Sequence, residues 1–139
     1  MNNPSDSILI ELVVTACQMS ADNIWMQGNI EIRINGEKPC SDGDIINIGE
    51  FLKSLEADGE YFIFSCCCGL PACSGWIQGI QVSHSGEYIE WADLNNTRKW
   101  SFNKQKVKDD LGDIRKEVAI YKSFFSRKGI EYVGAGYDW

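Results

Sequence analysis

The chain has 139 residues, 44% of them hydrophobic and 24% charged, with a net charge of −7. That length suits a single domain, 1–139, which would bury roughly 68% of its unfolded surface. No run approaches the ~20 apolar residues of a bilayer span, and an acidic chain repels nucleic acid, whose phosphates need Lys and Arg to displace counterions.

The charge is unevenly placed. Residues 42–93 carry nine acids against Lys53 alone, whereas residues 94–139 carry ten bases and six acids. An acidic middle suits a basic protein partner, and the plainer reading is that it keeps the chain soluble. The opening MNNPSDS has no basic residue and so lacks the n-region of a secretory signal. The expectation is a cytoplasmic protein whose six cysteines stay reduced.

Residues 1–7 are polar and read as a frayed terminus. Ile8 to Met19, rich in Ile, Leu and Val, predicts a first strand, followed by a loop over 20–28 that carries Trp25. Ile30 to Ile34 alternates strictly between apolar and charged residues, and Asn35-Gly36 supplies a tight turn. Pro39 to Asp44 reads as a loop. Asn47 and Glu50 have the spacing of a capping box, opening a short helix that buries Phe51, Leu52 and Leu55 and ends at Asp58-Gly59.

Tyr61 to Ser65 is a β-rich run. It begins a stretch of 26 residues, 61–86, without a charged side chain other than His84, which predicts central strands with little solvent contact. Ser85-Gly86 fits a two-residue hairpin loop that sets His84 opposite Glu87, Val82 opposite Ile89 and Ile80 opposite Trp91. Lys99 to Phe102 reads as the last strand. Val107, Leu111, Ile114, Val118, Tyr121 and Phe125 then form one apolar stripe on a helix over 104–128, capped by Asn103 and ended by Gly129. The fold class is therefore α+β. An antiparallel sheet of five or six strands is expected, with the long helix packed across one face and the shorter helix nearby.

The stretch FSCCCGLPACSGW, residues 64–76, sets Cys66, Cys68 and Cys73 in a C-x-C-x4-C pattern. Three thiolates hold zinc if a fourth ligand joins them. His84 is too far for that role if Trp76 to His84 is one strand, whose ends would lie about 26 Å apart. The reading preferred here is a reduced, packed knuckle without a cofactor. A dithiol redox site fits less well, since C-x-C lacks the spacing of a C-x-x-C motif at a helix start. One histidine and the absence of G-x-S-x-G argue against triad hydrolysis, and there is no phosphate-binding glycine loop. The chain reads as a non-enzyme.

The knuckle, with the IQGIQVSHSGEYIEW that follows it, resembles a group of small bacterial proteins with a C-x-C-G-x-x-x-C turn and a downstream strand tryptophan. The overall type is similar to the immunity proteins of contact-dependent inhibition and polymorphic toxin systems, which are short acidic α+β domains. That resemblance implies a cytoplasmic antitoxin that binds a toxin domain and blocks its active site. The expected surface is Asp42, Asp44, Glu50, Glu56, Asp58 and Glu60, suited to a basic toxin cleft, with Tyr137 and Trp139 as aromatic anchors unless the tail packs back on the domain. The alternative functions are a zinc-stabilised adaptor built on Cys66, Cys68 and Cys73, and an enzyme of unrecognised type.

Overall fold

The computed structural model describes residues 5–139. Two long strands open the chain, β1 (Ile8–Ser20) and β2 (Asn23–Ile34). They pair antiparallel from Ile8 opposite Ile34 out to Ser20 opposite Asn23, with a register shift between Gln18 and Ser20. The period-2 alternation sets Ile8, Ile10, Ile30, Ile32 and Ile34 on the buried face. Only this proximal half is covered, and Met19 at the far end is 78% exposed. The loop expected over 20–28 is therefore mostly strand, because Cys17 and Ala16 pair with Trp25 and Met26. The expected fray is also corrected where it can be judged. Residues 1–4 lie outside the described residues, but Asp6 pairs with Ser101 through its backbone N–H and its carboxylate, and Ser7 N–H donates to Asn35.

Asn35 and Gly36 both have positive φ (53° and 85°), as a tight turn with two left-handed residues requires. After the loop come β3 (Asp44–Ile46), the helix α1 (Ile48–Ser54), β4 (Gly59–Tyr61) and β5 (Phe64–Cys66). Asn47 caps α1 by accepting from Glu50 N–H at 3.1 Å. The reciprocal half of the capping box is absent: Asn47 N–H goes to Ile63 O, and the Glu50 carboxylate accepts from Phe62 N–H. The helix also ends earlier than expected and turns Ile48, Phe51 and Ser54 inward, leaving Leu52 38% exposed.

A short 3-10 turn over Pro71–Ser74 leads to β6 (Ile80–Ser85), β7 (Tyr88–Asp93) and β8 (Arg98–Asn103). The β6–β7 hairpin turns at Gly86-Glu87, one residue later than expected, so His84 lies opposite Ile89 and Val82 opposite Trp91. The reason is local. Gly86 has φ of 60°, and a turn with glycine first needs only that residue in the left-handed region, whereas Ser85-Gly86 would have forced a serine there. The uncharged run is not all interior either, since Leu70 and Ile77 are 62% and 72% exposed.

The long helix α2 (Lys104–Arg127) starts on its Asn103 cap and ends at Gly129, whose φ is 72°. Val107, Leu111, Ile114 and Val118 are buried against the sheet, while Tyr121 is exposed and Phe125 half-buried at the end of the stripe. Among the described residues, no helix is long and apolar enough to cross a membrane. A strand missed in the sequence follows, β9 (Glu131–Ala135), which adds to β2 in parallel with Trp25 opposite Glu131.

The architecture is the expected α+β type with a long C-terminal helix and a shorter one. Its strands divide among three sheets, in the orders β1-β2-β9, β3-β5 and β4-β6-β7-β8. At the centre is Trp91, 1% exposed, with the rings of Phe51, Phe64 and Phe102 set edgewise at 5.4, 6.0 and 5.1 Å. Such pairs add about 0.5–1.5 kcal/mol each beyond the area they bury.

Candidate functional site

The six acids expected to form one face lie along the β3 entry, α1 and the α1–β4 turn, and they divide by what their oxygens do. Asp44 is drawn inward: it accepts from Trp76 Nε1 at 3.1 Å and from Ser41 N–H at 3.2 Å. Glu50 holds Phe62 N–H and pairs with Lys53 at 3.7 Å. Asp42 meets Lys38 at 3.3 Å and is otherwise in solvent. The Glu56 carboxylate makes no hydrogen bond or ion pair among the described residues, its backbone N–H alone donating to Lys53 O.

Asp58 and Glu60 combine two uses. Asp58 Oδ1 accepts from His84 N–H at 2.9 Å, and Glu60 Oε2 accepts from Gly79 N–H at 2.9 Å. Each of these residues nevertheless stays exposed. These carboxylates clip the α1–β4 turn and β4 to the start and end of β6. Gly79 suits this close approach, because a Cβ there would stand 2.9 Å from both the Glu60 side chain and the Tyr61 backbone.

The aromatic tail packs back. Tyr137 donates to Gly28 O at 3.0 Å and shares a 2.5 Å hydrogen bond with Tyr132. A Cβ on Gly28 or Gly134 would overlap those rings, so the two glycines create the seat. Burial, reinforced by the neighbouring Tyr132, pushes the Tyr137 phenol well above its ordinary value. Trp139 is half-buried, tilted against Tyr137 at 5.3 Å, with the Arg115 guanidinium 5.8 Å above its ring.

In the knuckle, Cys66 ends β5 half-buried, while Cys67, Cys68 and Cys73 are exposed on the turn that follows. Hydrogen bonds from the Cys68 backbone N–H, the Cys68 thiol and the Ser74 hydroxyl pull Cys66 below its ordinary value. Hydrogen bonding to and the charge of Cys66 push Cys67 upward, and those of Cys68 push Cys73 upward. The thiols therefore sense one another. Among the described residues, no three His, Cys, Asp or Glu side chains form a group able to hold a metal ion. His84 is away from the knuckle for a reason other than the one read from spacing: its Nε2 lies 2.8 Å from Ser54 O, on α1. It is a half-buried interior contact, not the surface partner of Glu87. Cys40, on the opposite loop, is raised to about 11 by burial and by the charge of Asp44.

Sequence reading passed over one polar centre entirely. Asp93, at the end of β7, is 0% exposed. Its Oδ1 accepts from the Asn95 and Asn96 backbone N–H groups, and its Oδ2 accepts from Asn96 Nδ2 at 2.9 Å and Arg98 Nη2 at 2.7 Å. Burial alone would raise the carboxyl, but these donors outweigh it and hold Asp93 below the ordinary carboxylate value. Arg98 also donates to Pro39 O and stacks over Trp100 at 4.8 Å, so the β7–β8 turn is bolted to the 39–44 loop. The signal in the sequence was Asp93-x-Asn-Asn, an Asx-type turn with its acceptor two and three residues ahead of its donors.

No family model, no curated protein and no solved structure matches the chain.

Proposed function

We propose that this chain is a cytoplasmic immunity-type protein that binds and neutralises a basic toxin domain. Its contact surface is the acidic strip of Glu56, Asp58 and Glu60. The observation that supports it best is the pinning of Asp58 and Glu60. One oxygen of each is fixed by a backbone N–H of β6 or its approach while the residue remains exposed. A carboxylate already held in place loses less side-chain entropy on binding, a saving of about 0.5–1.5 kcal/mol per side chain. A cluster of such charges accelerates encounter with a positive cleft.

The test uses isosteric neutral variants, because Asp58→Asn and Glu60→Gln retain the oxygen that accepts the backbone N–H. The triple variant Glu56→Gln, Asp58→Asn, Glu60→Gln is co-expressed with a toxin-like domain found in the neighbouring gene, and survival and association rates at two salt concentrations are measured. The expected result is a fall of about tenfold in the low-salt association rate, a flatter salt dependence and lost protection. Full protection at an unchanged rate removes the strip from the mechanism. The absence of a toxin-like neighbour removes the reading itself.

A further inference from the structure

A cleft of about 540 Å³ lies between α1 and α2, with no residue of the thiol knuckle in its lining. Its apolar wall is made by Leu52 of α1, Leu55 at the end of that helix, Leu111 of α2 and Trp139. Leu52 would have been buried had α1 met α2 directly; instead its exposed side chain faces this opening. Gly112 of α2 forms part of its lining. Gly112 lies on the same face of α2 as Lys108 and Arg115, at i, i+4 and i+7, and a Cβ built there meets nothing within 4 Å. The sequence thus leaves a notch between two cations on a helix where any residue but proline would raise helix propensity.

The rim supplies charge. Lys53, Lys108 and Arg115 stand around the opening against the single acid Glu56. Lys53 is engaged by Glu50, but Lys108 and Arg115 have no carboxylate within 4 Å among the described residues. This is a cationic, apolar recess in a chain of net charge −7. The volume falls within the ~300–1,000 Å³ common for small-molecule sites.

We propose that this cleft binds an amphiphilic organic carboxylate. The apolar body of the ligand lies over Gly112 between Leu52, Leu55 and Trp139. Its carboxylate is met by Arg115, whose fork suits a bidentate contact, and by Lys108 from the other side of the notch. The site adjoins the acidic strip at Glu56, but its proposed ligand contacts do not use that strip, so it stands or falls without the reading above.

Decanoate is the probe, titrated by calorimetry into the full chain, with decanol as the uncharged control. Saturable one-to-one binding is expected for decanoate, at least tenfold tighter than for decanol. Gly112→Leu fills the notch and should abolish binding while the helix signal and melting temperature stay equal or rise, since leucine is the better helix former. Arg115→Gln should weaken decanoate about tenfold, as loss of a charge-assisted hydrogen bond implies, and leave decanol unchanged. Three results would overturn the proposal: no saturable binding, undiminished binding by a folded Gly112→Leu protein, or equal affinity for decanol. Concentration-dependent dimerisation that Gly112→Leu abolishes, without decanoate binding, would assign the cleft to a second copy of the chain and overturn it as well.

Discussion

Replacing Asp93 by Asn changes one atom in a fully buried side chain, and the structure says what each oxygen would lose. Oδ1 still accepts from the Asn95 and Asn96 N–H groups. The new amide nitrogen takes the place of Oδ2 and faces two donors, Asn96 Nδ2 and Arg98 Nη2. A charge-assisted hydrogen bond contributes about 1.5–3 kcal/mol and a neutral one about 1 kcal/mol. Arg98 is 37% exposed and can recover part of its hydration, so a value near the lower end applies to that bond. The expected cost at neutral pH is roughly 3 kcal/mol, or about 10 °C in Tm for a domain of this size. The carboxyl is held below its ordinary value in the folded state. Its contribution is therefore complete above the unfolded value near 3.8 and disappears as pH falls through the lower folded value. Thermal melts of parent and variant between pH 7 and pH 2.5 should show a gap that is constant down to about pH 4 and then narrows. A variant melting within 1 °C of the parent at pH 7, or a gap that widens in acid, would refute the account of the Asp93–Arg98 centre.

Leu111→Asp or Val118→Asp would bury an unpaired charge and should destabilise by several kcal/mol, read as a collapse of the melting curve; unchanged melts would mean that the stripe is not interior. Alkylation by iodoacetamide at pH 7, mapped by mass spectrometry, should label Cys66 ahead of Cys40, because only the thiolate reacts; labelling of Cys40 should accelerate as pH rises toward 11, the value to which burial lifts it. A pH-independent order would show that ionisation does not govern these thiols. Melting in the presence and absence of EDTA should coincide, since structural zinc contributes folding free energy directly; a fall in Tm with one zinc released per chain would make Cys66, Cys68 and Cys73 a metal site.

Where a residue's fate depends on its near neighbours in sequence, the pattern was readable. Ile30, Ile32 and Ile34 declare one face of a strand, and Val107 through Val118 declare one side of a helix, because periods of 2.0 and 3.6 are properties of the backbone itself. Asn103 and Asn47 cap helices for an equally local reason. The outer part of the β1–β2 hairpin and all of β9 were not readable in this way. Glu131–Ala135 contains Gly134 and is followed by Gly136, which locally read as breaks. Gly134 is required by the Tyr137 ring, and Gly136 by Ile46 O, which a Cβ would approach to 2.0 Å. The Gly136 contact with Ile46 crosses most of the chain, so no window of sequence contains it; Tyr137 is a near neighbour of Gly134, but its ring is held there by the distant Gly28 O.

The candidate site shows the same division. Spacing took all six acids as solvent-facing, whereas Asp44 and Glu50 are half-buried, and it could not show which exposed acids are tied down, because the ties run from Asp58 to His84 and from Glu60 to Gly79. Once the ties are known, the surplus charge of residues 42–93 can be located. Asp93 is neutralised in the interior by Arg98, Glu50 by Lys53 and Asp42 by Lys38. The remaining unpaired acids include Glu56, Asp58, Glu60 and Glu90. Glu60 stands opposite Gln81, and Glu90 opposite Ser83, two residues further along β6. Paired residues of an antiparallel ladder share a face, and so do residues two apart. Glu60 and Glu90 therefore both point away from Trp91, onto the side of the sheet that faces outward. The acidic character that composition assigns to the middle of the chain thus lies along one edge and the adjoining outer face of the β4-β6-β7-β8 sheet, a face that also carries the exposed Lys99, opposite Ala92. A uniform coat of charge would serve solubility alone. Charge concentrated on one rigid sheet face and its hydrogen-bonded turn is the arrangement that gives a positive partner a direction of approach.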